Sequence, residues 1–253
     1  MTERHRKALA ALARKKHRDQ TGTFLLEGVR TVEAAVQAGA PLVEVVVTSV
    51  ASAEPRVETL LVKVAVPIHT VSERMMAKLS DVQTSQGILA VAQQPLVSAA
   101  DLFDKATVLA LDGVQDPGNV GTVLRTAAWF GVDAVLAGPG TADLFNPKVV
   151  RASMGGLWDV RLARTQDLWA WLGEAQARGF TRYGADLDGT SLADWQPQRP
   201  SVLVLGSEAH GLQPAVHAAL DECLTIPSAA NRCGVESLNV GVAGGILMSR
   251  WVG

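Results

Sequence analysis

The feature that most constrains this chain is an alternation from residue 107 to the C-terminus. Short β-branched, apolar runs take turns there with longer amphipathic stretches. Thr107–Leu111, Ala134–Ala137, Phe180–Ala185, Ser201–Leu205 and Leu224–Ile226 read as strands. Val120–Phe130, Lys148–Met154, Asp167–Arg178, Pro214–Leu220 and Leu238–Trp251 read as helices. Strands separated by helices pair in parallel, because a parallel pair needs a long crossover, and the helices then cover both faces. The fold class is α/β with a mostly parallel sheet. Ligands on such sheets sit beyond the carboxyl ends of the strands, so the loops after the strands are where chemistry is sought.

A smaller α/β pattern precedes it over residues 24–94. Glu27–Gly39 reads as a helix, with Val29, Val32 and Val36 at helical spacing. Val43–Thr48, Val64–Thr70 (broken by Pro67) and Gly87–Ala92 read as strands, and Ser72 caps a helix carrying Met75, Met76 and Leu79. The aperiodic stretch around Pro95 is the linker. The expected division is an arm and small domain over 1–95, a linker over 96–104 and a larger domain over 105–253.

The net charge of −2 taken alone argues against a polyanionic partner, but it is an average over two unlike parts. Residues 1–19 hold seven basic side chains, Arg4, Arg6, Lys7, Arg14, Lys15, Lys16 and Arg18, against Glu3 and Asp19. The rest of the chain holds 16 basic and 23 acidic residues. A basic amphipathic start is either a solvated face or a contact for RNA or another polyanion. It has no apolar core of signal-peptide length, so it is not read as a secretory leader. No apolar run approaches the ~18–20 residues of a membrane helix. Two cysteines, Cys223 and Cys233, supply neither a disulfide framework nor a four-thiolate zinc site, and fit a reducing cytoplasm. No metal site is read.

Three post-strand segments could carry chemistry. The first, Asp112-Gly113-Val114-Gln115-Asp116-Pro117-Gly118-Asn119, opens a helix bearing Arg125. It suits an anion at a helix N-terminus but lacks the Lys-Ser/Thr of a P-loop and G-x-G-x-x-G spacing. If the helix begins near Gly118, Asn119 and Arg125 can point towards the same strand end. The second, Gly206-Ser207-Glu208-Ala209-His210-Gly211, sets a carboxylate at the rim. It lacks the nucleophile elbow that a Ser-His hydrolase needs. The third runs from Ile226-Pro227 to Glu236-Ser237-Leu238-Asn239-Val240, ahead of a helix with Gly241, Gly244 and Gly245. Interior helical glycines are costly, so these imply either tight helix packing or a close approach of backbone or ligand.

Together these segments resemble the three motifs of the SpoU (TrmH) family of RNA ribose 2′-O-methyltransferases in the SPOUT superfamily. The matching stretches are Gln115–Ala127, Leu205–Leu212, and Ile226-Pro227 with Glu236–Val240. Phe145–Gly155 fits as well. Phe24–Arg30 and Gln86–Val91 resemble the family's ribosomal-protein-like RNA-binding domain. Gly241 and Gly244 depart from the Ser and Ala usual there, and the loop Ser228–Gly234 is longer.

The resemblance implies a C-terminal trefoil knot, a homodimer and S-adenosyl-L-methionine as methyl donor. It places Leu205, Gly206, Ile226 and Leu238 at the cofactor. Arg125 would engage the target phosphate and 2′-oxygen, as charge stabiliser or as base. The first role is favoured because a guanidinium stays protonated below about pH 12. Asn119, Glu208, Ser237 and Asn239 would hold loops and substrate. The basic arm and Arg30 would contact RNA, 23S ribosomal RNA before tRNA given the extra domain. A non-catalytic RNA-binding or assembly factor is the alternative from another class.

Overall fold

The computed structural model describes residues 1–229, 234 and 236–253. The chain opens with α1 (Glu3–Ala11), α2 (Lys15–Thr21), β1 (Thr23–Glu27), α3 (Val29–Gln37) and β2 (Leu42–Thr48). It continues through α4 (Ser49–Ser52), α5 (Pro55–Val62), β3 (Ile68–Val71), α6 (Glu73–Met76) and β4 (Ile88–Gln93). Then come β5 (Thr107–Asp112), α7 (Pro117–Phe130), β6 (Ala134–Ala137), α8 (Pro147–Ser153) and β7 (Arg161–Arg164). The last elements are α9 (Leu168–Ala177), β8 (Thr181–Ser191), β9 (Ser201–Gly206), α10 (Pro214–His217), β10 (Glu222–Thr225) and α11 (Val240–Val252). No helix of the described residues is long and apolar enough to cross a membrane.

Two compact units result. The first comprises Met1–Pro95 with Asp143–Trp158, the second Leu96–Ala142 with Asp159–Gly253. The first is built on a four-stranded mixed sheet in the order β1-β4-β2-β3. Side chains alternate across it. Leu25, Val46, Leu89 and Val91 pack with Leu9 of α1, with Leu12 just after it, and with Met76 and Leu79. Phe24, buried, packs against Phe145 at 4.7 Å and Trp158 at 6.0 Å between ring centroids. Asp143–Trp158, expected inside the 105–253 domain, is thus drawn into the first unit by an aromatic contact that no local periodicity announces. The basic arm is likewise folded. Thr2 caps α1, and Leu9 and Leu12 bury 96% of their surface.

The second unit is a six-stranded sheet in the order β10-β8-β9-β5-β6-β7, with every pairing parallel. Val108 and Ala110 of β5 face a cluster with Leu168, Trp171 and Leu172 of α9. Leu109 and Leu111 alternate to the other face and are fully buried. Leu205, paired with Leu111, meets α11 there. A strand buried on both faces reads as an unbroken apolar run, which is why β5 and β9 were legible. The expected linker over 96–104 is partly structured. Leu96 bridges to Leu162, and a 3-10 helix over Ala99–Asp104 buries Leu102 completely.

Candidate active site

Strands β9, β5 and β6 are neighbours, and their carboxyl ends carry the loops singled out above. Asp116 caps α7 by accepting from Asn119 N at 2.9 Å, and Pro117 fills the first helical position, where its missing N–H costs nothing. That start fixes Asn119 in the first turn. Its side-chain nitrogen donates to Glu208 Oε1 at 2.7 Å, and its oxygen accepts from Asn239 Nδ2 at 2.9 Å. Asn239 Oδ1 in turn caps α11, accepting from Gly241 N at 2.9 Å and Val242 N at 3.3 Å. Glu208 Oε2 accepts from Gln115 N at 3.4 Å. One chain of hydrogen bonds, Glu208–Asn119–Asn239, therefore ties together the loops after β5 and β9 and the start of α11.

Arg125 is not part of that network. It lies six residues beyond Asn119, about 9 Å along α7. It is exposed and makes no hydrogen bond or ion pair among the described residues, which leaves its guanidinium free for a ligand. Ser237 is exposed too, without a hydrogen bond among the described residues. Leu205 is buried, Gly206 and Ile226 are half-buried, and Leu238 is 46% exposed beside Asn239. Cys233 and part of the loop Ser228–Gly234 lie outside the described residues.

The glycines now have distinct reasons. A Cβ on Gly206 would stand 2.3 Å from the carbonyl carbon of Gly211, because Ser207 and Gly211 pair backbone to backbone there. A Cβ on Gly244 would stand 2.8 Å from Leu205 Cδ1, and one on Gly241 3.1 Å from Thr122 Cγ2. Tight packing of α11 on α7 and β9 thus accounts for Gly241 and Gly244.

Sequence reasoning missed Asp112. It is 1% exposed and accepts from Gln213 N at 2.7 Å and Gln213 Nε2 at 2.6 Å, holding the far end of the Glu208 loop to β5. A carboxylate following the apolar run Val108–Leu111 was the available signal, since a buried charge demands partners.

Of the basic residues expected at RNA, Arg4, Lys7, Arg14, Lys15, Lys16 and Arg30 are exposed. Arg6 pairs with Glu3 at 2.7 Å, and its guanidinium holds the Glu3 carboxyl down to about 2. Arg18 must be corrected. It is 2% exposed, donates to Leu12 O and Ala13 O, and pairs with Asp143 at 2.5 Å. Its donors are spent inside the first unit.

Residues 106–249 match the SpoU rRNA Methylase family. The chain belongs to that family. Residues 5–90 of this SpoU protein also match the MRM3-like substrate binding domain. It is 35% identical over 235 residues to the 23S rRNA (guanosine(2553)-2′-O)-methyltransferase RlmP of Bacillus subtilis, covering 92% of this chain and 90% of that one. Among solved structures it resembles the AdoMet-bound rRNA methyltransferase from Sinorhizobium meliloti, with a TM-score of 0.85 and 28% identity over 99% and 94% of the two chains. It also resembles the SpoU methyltransferase AviRb from Streptomyces viridochromogenes in complex with AdoMet. There the TM-score is 0.87 and the identity 25%, over 100% and 97% of the chains.

Proposed function

We propose that this SpoU protein methylates a ribose 2′-hydroxyl of RNA, 23S ribosomal RNA in the first place, with S-adenosyl-L-methionine as donor. The observation that carries the reading is the Glu208–Asn119–Asn239 network, which joins the three family motifs at the strand ends while Arg125, on the same helix as Asn119, has no partner among the described residues. The near full-length likeness to RlmP, together with this chain's own match to a substrate binding domain, favours ribosomal RNA over tRNA and an enzyme over an assembly factor.

The rim fits a nucleoside cofactor held by backbone groups. Gly113, Gly140 and Gly206 stand at the ends of adjacent strands. Gly113 and Gly140 have φ of 71° and 77°, the left-handed region that favours glycine, so side chains are disfavoured there by the backbone. Leu205, Gly206, Ile226 and the half-exposed Leu238 would hold S-adenosylmethionine, which supplies an electrophilic methyl on a sulfonium. Arg125 binds the phosphate next to the target ribose and stabilises charge growing on the 2′-oxygen. A guanidinium suits that role better than the role of base. Asn119, Glu208 and Asn239 hold the loops in register, with Ser237 beside them, so that alignment is fixed before reaction.

We read the protein as a cytoplasmic homodimer with the family's C-terminal knot. Trp129 on α7, 85% exposed, with Val242 on α11, 52% exposed, supports a covering second copy. Trp129→Glu should shift the sedimentation coefficient to that of a monomer. For the reaction, Arg125→Ala should lower transfer by about 10²–10³-fold. Calorimetric affinity for S-adenosylmethionine should stay within a factor of two or so. Wild-type turnover in that variant would sink the assignment.

A further inference from the structure

His5, Glu44 and His69 come from α1, β2 and the edge strand β3, and their ligand atoms gather on one carboxylate. His5 Nε2 is 2.9 Å from Glu44 Oε1, and His69 Nε2 is 3.1 Å from Glu44 Oε2. The two rings stand edge to face, with centroids 5.2 Å apart and planes at 88°. All three ligand atoms lie within 4.8 Å of one another. Glu44 sits two residues before Val46, on the face that α1 covers, and His69 is paired in register with Val46. The register of β2 slips between Leu42 and Glu44, the kind of local irregularity that re-aims a side chain.

Glu44 is out of place as a purely structural residue. Its side chain is 11% exposed, and Oε2, shut off from solvent, has His69 Nε2 at 3.1 Å but in a geometry that makes no hydrogen bond among the described residues. A buried carboxylate oxygen left in that condition is costly, and a cation would relieve it.

We propose that His5, Glu44 and His69 form a binding site for a divalent cation of the zinc class, independent of methyl transfer. Two imidazoles and a carboxylate are the donors zinc prefers outside thiolate sites. Metal bonds of about 2.0–2.2 Å at tetrahedral angles set ligand atoms about 3.3–3.6 Å apart. The two nitrogens now contact different oxygens of Glu44, at 2.9 and 3.1 Å, and the three ligand atoms lie within 4.8 Å, so gathering them on one ion takes shifts of up to about 1 Å. Both imidazoles are one-third exposed, which leaves a path for the ion and a fourth position for water. The ion would fasten the arm helix bearing Arg4 and Lys7 to the sheet edge. The three ligands are 39 and 25 residues apart along the chain, so their spacing gives no metal signature.

The test is calorimetric titration of the metal-free full-length protein with Zn²⁺, with thermal melts alongside. One equivalent should bind and raise Tm. His5→Ala and His69→Ala should each weaken Kd by about 100-fold and abolish the Tm shift, with far-UV circular dichroism unchanged. Glu44→Gln, isosteric with the native residue, should do the same. Co²⁺ loading should give visible bands without thiolate charge transfer. Absence of Zn²⁺ binding, an undiminished equivalent in the histidine variants, or a thiolate band pointing to Cys223 with His217 and Asp186 would each overturn the assignment.

Discussion

Arg18 and Arg4 are the same residue type fourteen positions apart, and the fold gives them opposite fates. Arg4 is solvated. Arg18 is enclosed with Asp143, their side chains 2% and 5% exposed. Removing one partner of an enclosed pair leaves an uncompensated charge. Arg18→Ala should therefore lower unfolding free energy by about 3–5 kcal/mol, whereas Arg4→Ala should cost under about 0.5. Denaturant melts of the two variants read the difference directly, and equal midpoints would contradict it. Cys223 offers a second test. Burial first, then the negative charges of Asp186 and Glu222, push its thiol above the ordinary cysteine range. The thiolate is the nucleophile, so raising the pKa delays reaction to higher pH. In a Cys233→Ser background, iodoacetamide should label Cys223 more slowly at pH 8 than it labels a free thiol, catching up only as pH rises further.

At the level of elements, the glycines separate into two kinds. Gly206 abuts backbone, which cannot yield, while Gly244 abuts the mobile end of Leu205. Gly244→Ala also gains about 1 kcal/mol of helix propensity, which offsets the repositioning of Leu205. Gly206→Ala has no such compensation and should cost about 1–3 kcal/mol or more by overpacking, along with cofactor affinity. Thermal melts in which Gly244→Ala proves the more damaging would refute this contrast. Local sequence was a good guide to these elements wherever a run was apolar on both faces or ended in a cap. Pro117 at the start of α7 and Ser72 before α6 are examples. It missed β1, since Phe24-Leu25-Leu26-Glu27 runs straight into a helix pattern, and it missed β7, whose Arg161–Arg164 mixes charge with apolar residues.

On the scale of the whole molecule, charge is distributed unevenly enough that the proposed RNA binding should be salt-sensitive. Of the eight basic residues expected at RNA, six are exposed, Arg6 being paired and Arg18 buried. Each phosphate contact contributes about 0.7 to the slope of log affinity against log salt on single strands. Lys15→Ala with Lys16→Ala should therefore flatten the slope by about 1.4. An unchanged slope in filter-binding or anisotropy titrations would remove those lysines from the RNA contact.

The sequence by itself determined the α/β class, the mostly parallel character of the larger sheet and the three loops after its strands. Each of these is written in local patterns of period, cap and turn. The tertiary structure alone decided that Asp143–Trp158 folds with the first unit, that Arg18 is interior, that Asp112 anchors Gln213, and that His5, Glu44 and His69 converge. Each of those depends on which distant segment packs opposite, and periodicity along a chain carries no information about the residue that will face it.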